Sequence, residues 1–160
     1  MARAATMAPV DISAKSDYAV RALLGLASRY PELVKADVLL AEQPLPRKFV
    51  ESILGDLRRA GIVRSQRGAD GGYALARPPD KITLGAVIRA VDGPLAEVHG
   101  LRPHETAYDG VAQHLPDVWV AVRTSLRRVL DQTTLAQVLN GKLPVHVRRM
   151  VDSPGAWLPR

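Results

Sequence analysis

Apolar residues recur along this chain at three- and four-residue spacing in several separate stretches, each bounded by a capping residue, a glycine or a proline. Ala19, Ala22, Leu23, Leu26 and Ala27 make such a face between Ser13 and about Ser28, and Ser13 can cap the first turn. The spacing predicts a helix there, closed by Pro31. Val34 to Leu40 is shorter, is stopped by Gln43-Pro44, and predicts a second helix of one or two turns. Pro46 stands just inside the start of a third, where its missing N–H would have had no helical partner. That helix runs to Ala60, with Gly61 as its stop. At about 100° per residue, Val50, Ile53, Leu54 and Leu57 fall on one face of it, and Lys48, Glu51, Ser52, Gly55 and Arg59 on the other.

The period then changes. Ile62 to Gln66 and Tyr73 to Ala76 read as two short strands joined by Arg67-Gly68-Ala69-Asp70-Gly71-Gly72, a glycine-rich turn suited to positive φ, so a β-hairpin is expected. Thr83 caps a fourth helix from Leu84 to Val91, and Gly93-Pro94 stops it. Residues 94 to 110 lose periodicity and read as a connecting loop. From Val111 or Leu115 to Leu130 an apolar stripe returns through Leu115, Val118, Trp119, Val122, Leu126, Val129 and Leu130. Thr134 and Gln137 form a capping box that opens a last short helix ending at Asn140-Gly141. The remaining tail shows no convincing period.

The apolar fraction of 47% with only seven aromatic residues favours a core built from helices, and the order helix-helix-helix-hairpin-helix is that of a winged helix-turn-helix. The expected fold is mainly α with a small β-hairpin wing. It divides into an N-terminal extension expected to be disordered (1–10), a winged helix-turn-helix domain (11–95), a connecting loop (96–110), a long helix with a short following one (111–143) and a tail (144–160). Met7 lies close to Met1, so the first residues read as such an extension or as a start-site artefact.

Charge narrows the function. The net charge is +6, and between Arg47 and Arg77 seven basic residues face three acidic ones, so 31 residues carry +4 of it. A solvated basic face and a polyanion-binding face both account for that segment; DNA is the polyanion it suits. The major groove alone displays a distinct donor and acceptor pattern for each base pair, and the outer face of the third helix offers Arg47, Lys48, Phe49, Glu51, Ser52 and Arg59 to it. The wing offers Arg64, Arg67, Gly68, Asp70, Gly71 and Gly72; an arginine at its tip suits the negative potential of a narrow minor groove. Glu51 would repel phosphate, which points to a cytosine amino group as its partner. Ser16 and Tyr18, near the start of the first helix, either touch a phosphate or cap and pack. Phe49, Tyr73 and Trp119 also have a plain reading as packing residues.

These stretches together resemble the Rrf2 family of winged-helix regulators, the group that includes IscR, NsrR and CymR. The resemblance spans about Ile12 to Leu139. It is carried by Ser16-Asp17-Tyr18-Ala19-Val20-Arg21-Ala22-Leu23, by Leu45-Pro46-Arg47-Lys48-Phe49-Val50-Glu51-Ser52-Ile53-Leu54, by Leu57-Arg58-Arg59-Ala60-Gly61-Ile62-Val63, by Arg67 through Pro78, by Ile82-Thr83-Leu84 and by Val87 through Leu95. It implies a homodimer whose Trp119-containing helix crosses its mate, with Leu115, Val118, Trp119, Val122, Leu126 and Val129 at the seam. It further implies a partly palindromic operator, repression of transcription, recognition through Lys48, Phe49, Glu51 and Ser52, and insertion of the wing at Arg67 to Gly72.

One departure is decisive. Many members hold an iron–sulfur cluster on three cysteines in the loop before the long helix, and this chain has no cysteine at all, which excludes disulfides, thiol sensing and thiolate-bound clusters. No cofactor is expected. His99, His104, Glu105 and His114 are weak candidates for a metal, since they lack compact ligand spacing and a polar loop is more often simply solvated. A small-molecule or protein effector remains open, and so does a regulator that works mainly through a protein partner with conditional DNA binding. No nucleophile–base pair has recognisable spacing, and Asp70-Gly71-Gly72 is turn chemistry rather than a phosphate cradle, so no enzyme is expected. No apolar run reaches the roughly 20 residues of a membrane span, and the start lacks the apolar core of a signal peptide. The expected location is the cytoplasm, at the nucleoid, with no membrane partner.

Overall fold

The computed structural model describes residues 11–159; the expected disordered extension, residues 1–10, lies outside the described residues. Helix α1 (Ala14–Ala27) starts as its sequence dictates, with the Ser13 hydroxyl accepting from the Ser16 N–H at 3.0 Å. It buries Ala19, Ala22, Leu23, Leu26 and Ala27, and α3 (Arg47–Arg59), α4 (Leu84–Asp92), α6 (Leu135–Asn140) and strand β2 (Gly72–Leu75) all pack against it. Helix α2 (Ala36–Glu42) follows, and α3 (Arg47–Arg59) begins at Pro46, which serves as the cap rather than the first helical residue. Gly61, at φ 73°, turns the chain out of α3. Strands β1 (Val63–Gln66) and β2 (Gly72–Leu75) pair antiparallel in the register Val63 to Leu75 and Gln66 to Gly72. Helix α4 (Leu84–Asp92) is capped by Thr83, whose hydroxyl accepts from the Ala86 N–H at 3.2 Å.

Two expectations need correction. Val34 does not open the second helix; its N–H donates to the Tyr73 carbonyl at 2.7 Å and its carbonyl accepts from Tyr73 at 2.8 Å. The base of the hairpin is thereby pinned to the segment between α1 and α2. The tail also contains a helix, α7 (Val145–Val151), which starts after Pro144 and buries Val147. The His146 ring donates through Nε2 to the Arg128 carbonyl at 2.7 Å, so α7 rests on α5 (Leu115–Leu130). Seven residues are too few to establish a period by themselves.

Helix α6 (Leu135–Asn140) carries the expected capping box, with Thr134 accepting from the Gln137 N–H at 3.2 Å and donating its own N–H to the Gln137 side chain at 2.9 Å. A short bridge beside it, with the Leu84 N–H on Thr133 and the Leu135 N–H on Ile82, brings Leu135 into one core with Leu23, Leu26, Ile53, Leu54, Leu57 and Ile82. The chain therefore folds back on the helices of its N-terminal half. By contrast, no residue of α5 is fully buried, and Val118 and Val122 are 51% and 37% exposed.

Candidate nucleic-acid interface

Alternation on α3 separates packing from contact. Val50, Ile53, Leu54 and Leu57 face the core, while Arg47, Lys48, Phe49, Glu51, Ser52 and Arg59 are all exposed. The turn leading into α3 is fixed by buried Leu45 and by Arg21, whose Nε donates to the Gln43 side chain at 3.0 Å. Arg47 forms an ion pair with Asp37, tying the first turn of α3 to α2. Phe49 stands edge-on to Tyr18, ring centroids 6.0 Å apart, and the Arg21 guanidinium lies 5.8 Å from the Tyr18 ring. Phe49 is thus a packing partner and a half-exposed surface residue at once.

The other end of α3 carries its own charge arrangement. Asp56 receives Lys15 Nζ at 2.7 Å and also pairs with Arg59. The Lys15 hydrogen bond, with Arg59 assisting, holds the Asp56 carboxyl below the usual carboxylate range against the opposing effect of burial. Among the described residues, Lys48, Arg67 and Arg77 have neither an ion pair nor a side-chain hydrogen bond.

The wing tip is shaped by glycine. Gly68 lies at φ 107°, and the Gly71 N–H donates to its carbonyl at 3.0 Å. A Cβ on Gly71 would sit 2.2 Å from the Gln66 carbonyl oxygen, so only glycine closes the tip this tightly. Arg67, Ala69 and Asp70 are exposed there, while Arg64 on β1 donates to the Pro31 carbonyl at 2.9 Å and braces the wing against the end of α1.

Ser16 is a correction. It is 1% exposed, and its hydroxyl donates to the Asp92 carboxylate at the end of α4, as does that of Ser13. The first turn of α1 packs on α4, so the Ser16 side chain is closed to a phosphate; half-buried Tyr18 keeps an exposed edge. Sequence reasoning missed Lys15 and Asp92 as well, because their partners lie 41 and 76 residues away and leave no local signal.

The metal candidates do not converge. His104 Nδ1 lies 2.6 Å from Arg123 Nη1, the Glu105 carboxylate accepts from the Arg102 N–H at 2.7 Å, and His99 and His114 stand exposed elsewhere. Among the described residues no three His, Asp or Glu side chains come together. On the stripe of α5, Leu115, Trp119, Leu126 and Val129 are half-buried, and the Trp119 Nε1–H is shielded from solvent without an acceptor among the described residues.

Residues 12–141 match the Rrf2 family, described as an iron-dependent transcriptional regulator. The chain belongs to the Rrf2 family. A Mycobacterium tuberculosis protein, Rv1287, named for a role as an HTH-type transcriptional regulator, is 46% identical over 142 residues, covering 88% of each chain. The HTH-type transcriptional regulator CymR of Bacillus subtilis is 35% identical over 127 residues, 79% of this chain and 87% of that one. Among solved structures, CymR, the global cysteine regulator of B. subtilis, superposes with a TM-score of 0.70 at 31% identity, over 82% of this chain and 98% of that one. IscR of T. potens gives 0.65 at 33% identity, over 82% and 87%.

The Rrf2 assignment makes this chain a DNA-binding, winged-helix transcription regulator, a role without catalysis. Iron does not fit its donors in the form of a cluster: with no cysteine in the sequence and no convergent His, Asp or Glu among the described residues, thiolate ligation is absent. No helix among the described residues is long and apolar enough to cross a membrane.

Proposed function

We propose that this Rrf2 protein is a sequence-specific repressor acting as a homodimer on a partly palindromic operator, with α3 in the major groove and the wing in the minor groove. The observation that carries the reading is the juxtaposition of an exposed polar face on α3 with a glycine-closed wing whose Arg67 has no side-chain partner among the described residues. On α3, Lys48 and Ser52 would donate to bases or phosphates, Glu51 would accept from a cytosine amino group, and Arg47, Phe49 and Arg59 would flank the contact. Arg64, Arg67, Gly68, Asp70, Gly71 and Gly72 would form the minor-groove element, and Tyr18 a phosphate contact.

The homodimer reading rests on α5. Its stripe leaves Val118 and Val122 exposed and an indole N–H without an acceptor among the described residues, features that a second copy would cover. The seam would hold Leu115, Val118, Trp119, Val122, Leu126 and Val129, and residues 11–95 would be the DNA-binding unit. Its place of action would be the cytoplasm, at the nucleoid. Fluorescence-anisotropy titration against the DNA upstream of its own gene and a scrambled control, each at two salt concentrations, tests this. Tight, salt-sensitive preference for the upstream DNA is expected; equal, weak binding to both overturns sequence-specific repression.

A further inference from the structure

A second basic feature lies away from α3 and the wing. The end of α4, the segment that follows it and α5 border a half-open cavity of about 220 Å³ lined by Arg89, Arg102, Arg123 and Arg127, with Gly93 and Leu95 among the remaining wall residues. No acidic side chain lines it. Asp131, outside the cavity wall, is engaged by both terminal nitrogens of Arg89 at 2.7 and 2.8 Å and also feels the charge of Arg127. Glu105, close to Arg102, is committed to that residue's backbone N–H.

Of the other three guanidiniums, Arg102 and Arg127 are exposed, and Arg123 has a shielded donor. Arg123 Nε is shielded from solvent without an acceptor among the described residues, while its Nη1 reaches the His104 ring. Arg102 and Arg127 make no ion pair and no side-chain-to-side-chain hydrogen bond among the described residues. Converging like charges and a shielded N–H without an acceptor both cost free energy unless something supplies oxygen atoms and negative charge.

We infer that this four-arginine cavity is a binding site for a compact polyanion, a small molecule bearing at least two carboxylate or phosphate groups. Arginine presents a planar fork of donors that matches either group bidentately. The volume lies below the roughly 300–1,000 Å³ typical of drug-sized ligand sites, which selects a compact metabolite over an extended one. The walls also suggest what binding would do. Asp92, which holds Ser13 and Ser16 of α1, immediately precedes Gly93, and Arg123 and Arg127 belong to α5. An anion bridging the two sides would clamp the body that carries α3 to the helix of the dimer seam. That regulatory role rests on the proposed repressor function; the binding itself does not.

Isothermal titration of the full chain, without DNA and at constant ionic strength, with citrate and with inorganic pyrophosphate as probes, tests the site. Saturable binding of either probe is expected, citrate marking a carboxylate preference and pyrophosphate a phosphate preference. The affinity should fall about tenfold or more in Arg123→Gln and in the double variant Arg102→Gln/Arg127→Gln, whose two positions carry no pairing needed for folding. Absence of saturation with both probes overturns the inference, as does equal binding by the double variant. Loss of self-association in the double variant, with no probe bound by the wild type, would assign the cavity to acidic groups of a second copy and also overturn it. Saturable, arginine-dependent binding in a protein that ignores its upstream DNA would uphold the site and remove the repressor reading alone.

Discussion

Arg89 and Asp131 meet fork to fork, with Nη1 and Nη2 donating to Oδ1 and Oδ2 at 2.7 and 2.8 Å, and so join α4 to the residue that ends α5. The hydrogen bonds from Arg89 hold the Asp131 carboxyl below the usual carboxylate range; partial burial opposes them, and Arg127 adds a smaller pull in the same direction. Both side chains are more than a third exposed or close to it, at 38% and 34%, so solvent screens the pair.

Because the folded pKa of Asp131 is depressed, its contribution is fully present above the unfolded value of about 4 and is lost as pH falls through the folded value. Asp131→Asn should cost about 1 kcal/mol or less at neutral pH. Urea midpoints of the wild type and the variant, compared at neutral pH and then below about pH 4, should converge on acidification. A gap that widened in acid would contradict the pairing.

Arg67 is exposed at the wing tip with no side-chain partner among the described residues, so Arg67→Ala should leave the thermal midpoint unchanged. Operator affinity should drop, and the slope of log affinity against log salt should decrease by about one if the guanidinium sits against phosphate. Anisotropy titrations at matched salt read both quantities. An unchanged affinity would show that the tip does not reach DNA.

The wing glycines differ in what replaces them. Gly68 has open space around its Cβ position, and only its φ of 107° resists alanine, a cost of about 1 kcal/mol. Alanine at Gly71 would press on the Gln66 carbonyl and the Arg67 backbone, so the hairpin itself must shift. Gly71→Ala should therefore lower the melting temperature more than Gly68→Ala. Differential scanning calorimetry of the two variants decides the order.

Val118 is 51% exposed on α5, so an aspartate there is tolerated by the isolated chain but not by an apolar seam. Val118→Asp is expected to sediment as a monomer with native helical content and to bind operator DNA weakly. A variant that remained dimeric at micromolar concentration would move the interface elsewhere.

Much of this architecture was legible in local residue chemistry. Ser13, Thr83 and the Thr134–Gln137 box mark helix starts because a side-chain oxygen reaches an N–H only a turn away. The alternation along α3 separated its core face from its exposed face before any packing was known. The family resemblance followed from the same stretches, and so did the loss of thiolate chemistry, because it needs only the absence of a residue type.

Tertiary structure decided whatever depends on residues far apart in the chain. Ser16, which the sequence leaves open between a phosphate contact and packing, is packed because α4 brings Asp92 to it across 76 residues. Val34 lies outside its expected helix because Tyr73 offers both its N–H and its carbonyl, and α7 is tied to α5 by the His146–Arg128 hydrogen bond. Arginines from position 89 to position 127 share one cavity only through the way α4 and α5 meet. A hydrogen bond within one helical turn is set by neighbours in sequence, whereas convergence of distant charges is set by packing. The sequence alone determined most of the elements, their faces and the class of regulator; the fold added α7 and decided which polar groups were satisfied and which were left facing a cavity.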